Sequence, residues 1–152
     1  MANAQEEDAA NKPFIVVGVD GSEASVEALR WAVRHARTTH ARLEVIGAWE
    51  TPWAMMVAPT KTDEDYFREA RARLEPAIAR GLEGSEDVQS TVRIVEWYPG
   101  PALVQAAAGA DLLVVGSHRY GVMEGVHLGS VASYCAHHAS CPVLIHRHSP
   151  GR

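Results

Sequence analysis

The sequence predicts an α/β fold with a parallel sheet, and three observations predict it. Five short runs rich in Val, Ile and Leu alternate strictly with segments of helical period, the order that βαβ units produce. Two of those runs are almost uninterrupted in apolar character, as strands buried on both faces are. The chain has 152 residues, 47% of them hydrophobic and 22% charged. That is enough for one domain with its own core and no disulfide staples.

The runs are Phe14–Val19, Leu43–Trp49, Thr91–Trp97, Asp111–Gly116 and Val143–His146. The first and fourth are the most continuous. The third is broken by Arg93 and Glu96, which predicts a less buried place. Residues 23–38 put Val26, Leu29, Val33 and Ala36 on one helical face, with Ser22 placed to cap the start. Residues 63–82 put Phe67, Leu74 and Ile78 on one face, with Thr62 as cap, and Pro76 predicts a kink or a split. Residues 101–109 read as a short helix with Pro101 in first position, where its missing N–H costs nothing. Residues 130–139 read as the last helix, with Val131 and Cys135 four apart.

Residues 1–12 are polar and acidic and read as a disordered tail, a solvated terminus rather than a docking arm. They lack the basic and apolar regions of a signal peptide, and the longest apolar run, Trp53 to Ala58, is far too short for a bilayer. The expectation is a domain over residues 13–148 in a cytoplasmic protein. The net charge of −5 supplies no basic field for nucleic acid. The connection from Glu50 to Lys61, with Pro52, Trp53, Met55, Met56 and Pro59, reads equally as a lid and as an apolar loop packed on the sheet edge.

Ligands of open α/β sheets bind beyond the carboxyl ends of the strands, so the residues after each strand carry the information. After the first come Gly18-Val19-Asp20-Gly21-Ser22. A carboxylate there repels phosphate but can accept from ribose hydroxyls; it can equally favour the turn and the helix N-terminus. After the fourth run, Gly116 to Ser130 form a glycine-bearing loop leading into a helix. Glycines admit backbone N–H groups to an anion, and a helix start adds unpaired N–H groups and partial positive charge. Such a loop reads as a phosphate cradle or as a plain connector with a capped helix. No G-x-x-x-x-G-K-[ST] is present, and the first βα turn lacks G-x-G-x-x-G.

These residues resemble the universal stress protein family of the UspA type, over about residues 13–147. The likeness rests on Ile15-Val16-Val17-Gly18-Val19-Asp20-Gly21-Ser22 and on the block from Asp111 to Arg147, with its Leu128-Gly129-Ser130-Val131-Ala132 and Cys141-Pro142-Val143-Leu144-Ile145. It implies a five-stranded parallel sheet, doubly wound, with helices on both faces, in a homodimer joined through the last strand. It also implies ATP, with Mg2+ accompanying the nucleotide, and a regulatory role in stress. By the family's G-x2-G-x9-G-[ST], Gly116 and Gly129-Ser130 match, whereas Arg119 stands where the middle glycine belongs. The implied site is Asp20 at the ribose, the Val19 and Ala48 backbone at the adenine, and Gly116, Gly129, Ser130 and Val131 around the phosphates, with Gly18, Val115 and Arg119 in the same site. Arg119 either strains the loop and blocks the phosphates or pairs with one of them; the two effects are each about 1–3 kcal/mol. Arg119→Gly is therefore expected to change ATP affinity. The alternatives are an interaction protein independent of nucleotide, with its site closed by Arg119, and a slow ATP hydrolase.

No catalytic residue and no metal ligand is assigned. His137 and His138 are adjacent on a helix and diverge. His146 and His148 share a strand face but read as a frayed end, and His118 and His127 fall in the loop. No G-x-S-x-G is present, and Ser117 beside His118 is not a nucleophile–base pair. Cys135 and Cys141 lack C-x-x-C spacing and read as buried, inert thiols.

Overall fold

In the computed structural model of the chain, residues 11–51, 61–117 and 128–148 are described. The 118–127 loop with Arg119, Gly121, His118 and His127, most of the connection between Glu50 and Lys61, and nearly all of the N-terminal tail lie outside them.

The strands are β1 (Phe14–Val19), β2 (Arg42–Trp49), β3 (Ser90–Glu96), β4 (Leu112–Gly116) and β5 (Val143–His146). The helices are α1 (Glu23–Thr39), α2 (Asp63–Gly81), α3 (Pro99–Ala106) and α4 (Ser130–His138). The sheet order is β3-β2-β1-β4-β5, with every pair parallel. β1 is central, so its alternate side chains enter two cores. Ile15, Val17 and Val19 join Leu29, Val33, Leu74 and Ile78 of α1 and α2 on one face. Val16 joins Ile46, Leu103, Leu113 and Cys135 on the other, with α3 and α4. Helices on both faces are why β1 and β4 carry no polar alternation. β3 is an edge strand and largely exposed, as Arg93 and Glu96 predict.

Four details depart from the sequence reading. α2 is continuous from Asp63 to Gly81 with Pro76 inside it, so it is not split. Pro76 is exposed, and its missing bond concerns the carbonyl of Ala72, which is also exposed and can turn to water. The buried face of α2 uses Tyr66, Ala70, Leu74, Ala77 and Ile78; Phe67 is 38% exposed. α3 begins two residues early, with Pro99 rather than Pro101 at its start. Both prolines are tolerated because first-turn amides have no intrahelical acceptor. His148 is not frayed: its N–H donates to Ser117 Oγ at 3.3 Å and its ring meets Glu27 at 3.0 Å.

Candidate functional site

Crossing from β3 through α3 to β4 carries the chain past β1 to its other side, so the strand order reverses between β1 and β4. Crevices form at such points. Here the registered pairing of β1 with β4 ends at Val17↔Val114, although β1 runs on to Val19 and β4 to Gly116. The two carboxyl ends part, and a cleft of about 320 Å³ opens between them. That lies at the lower end of the roughly 300–1,000 Å³ common to small-molecule sites.

Eight of the ten predicted site residues line it: Gly18, Val19, Asp20, Ala48, Val115, Gly116, Ser130 and Val131. Gly129 is absent from the lining; it is the N-cap of α4, with φ −67° and ψ 163°. Arg119 lies outside the described residues. The apolar part of the wall includes Ile46, Ala48, Leu103 and Val115, and the polar part Asp20, Ser22, Glu50 and Ser130.

Two glycines have roles other than the one the sequence suggests. A Cβ on Gly116 would come within 2.9 Å of the Ala24 backbone, so this glycine lets α1 approach β4 closely, as glycines at helix–strand contacts do. A Cβ on Gly18 would come within 2.7 Å of Leu103 Cδ1, which seats α3. Gly21, in the turn after β1, needs its conformational freedom, with φ +90°.

The turn after β1 is held by hydrogen bonds among its own residues. Asp20 Oδ1 accepts from the Ser22 N–H at 2.8 Å and from the Ser22 hydroxyl at 2.5 Å. Ser22 Oγ accepts from the Ser25 N–H at 3.2 Å, and Ser25 Oγ donates to the Ser22 carbonyl at 2.8 Å. Asp20 thus fills the turn-forming role at this oxygen. Glu23 follows in the first turn of α1 and meets Arg80, whose hydrogen bond holds the Glu23 carboxyl below its ordinary range. α4 opens on the same cleft differently. Gly129 gives it no side-chain cap, and its first turn has no acidic residue. The amides of Ser130, Val131 and Ala132 have no acceptor one turn back, and all three residues line the cleft.

Sequence reasoning missed Arg73 and Trp49, both of which line the cleft. Trp49 ends an apolar run and reads as core. Arg73 reads as one of several charges on an exposed helix face; only the packing of α2 beside the β1–α1 turn brings it in.

The remaining candidates do not assemble. Among the described residues no group of three or more His, Cys, Asp and Glu could hold a metal. His137 and His138 each fold back to a carbonyl of their own helix, those of Ser133 and Tyr134. Cys135 is fully buried, and burial pushes its thiol up to about 11; burial also raises that of Cys141. Neither is poised as a thiolate. No described helix is long and apolar enough to cross a membrane.

A parallel sheet wound on both faces, with a crevice where the strand order reverses, places the chain in the class of doubly wound α/β proteins. Within that class, the universal stress protein family model matches residues 14–147, and the chain belongs to that family. Universal stress protein Rv2005c of Mycobacterium tuberculosis is 33% identical over 135 residues, 89% of this chain and 45% of its own length. Rv2624c of the same organism is 30% identical over 137 residues, 88% of this chain and 47% of its own. The chain therefore spans about half the length of these curated relatives. Among solved structures, a universal stress protein in complex with cAMP is 29% identical, with a TM-score of 0.66 over 88% of this chain and 96% of that one. UspA from Lactobacillus plantarum, at 23% identity, shares the fold with a TM-score of 0.70 over 90% and 98% of the two chains.

Proposed function

We propose that the chain is an adenine-nucleotide-binding module that takes ATP and acts as a regulator in the response to stress. The adenine ring lies against the apolar wall of Ile46, Ala48, Leu103 and Val115, with the Val19 and Ala48 backbone at its edge. Asp20 accepts from the ribose. The amides at Gly116, Ser130 and Val131 face the phosphates, where the helix dipole of α4 favours negative charge. With no carboxylate cage among the described residues, Mg2+ in this reading travels on the phosphates. Arg119 stands beside this group in sequence, where its side chain either pairs with a phosphate or closes the site.

The observation that carries the reading is the cleft itself: the ends of β1, β2 and β4 and the uncapped start of α4 open on one space. The cAMP complex of a 29% identical relative supports an adenine ligand. β5 is the outer strand beside β4, half-buried along its length. Its outer edge, unpaired among the described residues, supports a homodimer seam there. The reading places the protein in the cytoplasm and gives it no catalytic residue.

Calorimetric titration with ATP and AMP tests it. Saturable one-site binding is expected, with Arg119→Gly changing the ATP affinity. No binding of either nucleotide contradicts it, and an unchanged affinity in Arg119→Gly removes that side chain from the site. Steady release of ADP by the wild type would favour the hydrolase alternative.

A further inference from the structure

We infer that Arg73 is the phosphate-reading residue of the cleft, the group that makes it prefer a phosphorylated nucleoside to the nucleoside alone; this rests on the adenine-nucleotide reading above. Three observations carry it. First, Arg73 is the only cation among the described lining residues, facing a wall that also holds the carboxylates of Asp20 and Glu50. A phosphate entering this space adds negative charge beside carboxylates, and among the described lining residues Arg73 is the side chain whose charge can pair with it.

Second, Arg73 is kept out of the ion pairs that occupy its neighbours. The other three arginines of α2 are engaged: Arg68 with Glu64 and Asp65, Arg71 with Glu75, and Arg80 with Glu23. Glu69, four residues before Arg73 and the natural partner on a helix, is taken by Lys61 instead. No ion pair joins Arg73 to a described carboxylate. A guanidinium beside a cleft that is not already paired can be paired by the ligand.

Third, its stem is held. Gly21, at φ +90°, lies so close that a Cβ there would come within 2.7 Å of Arg73 Cγ and 3.2 Å of its carbonyl oxygen. The turn that carries Asp20 therefore packs on the arginine stem, which reduces the side-chain freedom lost on binding. Bidentate N–H donation to phosphate oxygens is the geometry a guanidinium offers and an ammonium does not.

The test compares AMP with adenosine, by calorimetry, on wild type, Arg73→Gln and Arg73→Lys, with thermal melts of each. Arg73 is exposed, so all three are expected to melt alike. Wild type is expected to prefer AMP. Arg73→Gln is expected to bind AMP about tenfold more weakly while adenosine affinity stays within about twofold, and Arg73→Lys falls between. AMP affinity unchanged in Arg73→Gln, or an equal loss for adenosine, overturns the inference and leaves the adenine reading standing. Wild type binding adenosine as tightly as AMP does the same. Wild type binding neither ligand overturns both.

Discussion

The N-termini of α1 and α4 open on one cleft from opposite faces of the sheet, and they are finished in opposite ways. At α1, Ser22 caps the first turn, Asp20 ties down Ser22, and Glu23 offsets the helix dipole. At α4, a glycine stands at the cap and gives no side-chain acceptor to the first turn, and no acidic residue lies within that turn. Both helices have the same backbone requirement, since every α-helix leaves its first amides without intrahelical acceptors. α1 meets that requirement from its own sequence. At α4 neither the cap residue nor the first turn meets it with a side chain, which is the condition for an anion site.

Substitutions at each end break or sharpen this contrast. The largest effect is expected at Gly116→Val. Its Cβ would press on the backbone of Ala24 and Ser25, atoms that cannot rotate away, and would force α1 off β4. A loss of about 3 kcal/mol is expected in urea denaturation. Gly18→Ala meets only the Leu103 side chain and should cost less; equal losses would show that α1 is not held as described.

Next comes Gly129→Asp. The cap already has an extended backbone with negative φ, so the change is tolerated there. It gives α4 the finish that α1 has. The folded protein should be as stable or more so by a few tenths of a kcal/mol, while AMP binds about tenfold more weakly, a loss of about 1.4 kcal/mol. Stability unchanged with AMP affinity unchanged would mean that the start of α4 does not face the ligand. The smallest effect is expected at Ser22→Ala, which removes the α1 cap at a cost of about 1 kcal/mol in urea denaturation. A cost indistinguishable from zero would show that the hydrogen bonds around Asp20 do not hold this helix end.

How much of this is legible in the sequence differs from element to element. β1 and β4 announce themselves because helices on both faces forbid polar alternation. α1 does so because Val26, Leu29, Val33 and Ala36 repeat at helical spacing and are all buried. The capped end of α1 is legible too, since Ser22 and Asp20 act on residues within a few positions of themselves. α2 is less so: Pro76 weakens the pattern, and Tyr66, not its neighbour Phe67, turns inward against Trp49 and Ala70, a choice made by packing. The start of α3 is ambiguous because Pro99 and Pro101 both suit a first turn. Arg73 is illegible, because local charge patterning pairs it with Glu69, and only the fold gives Glu69 to Lys61. Gly116 illustrates the converse: its place in the glycine pattern is readable, but the close approach of Ala24 that requires it is not.

The most direct test of the account is a titration of 15N-labelled protein with AMP, followed through the backbone amide signals. The largest shifts are expected at Ser130, Val131 and Ala132, with Ser25 and Val26 at the capped end of α1 moving little. Shifts concentrated on α1 with the α4 amides unmoved, or no saturable shift at all, would contradict it.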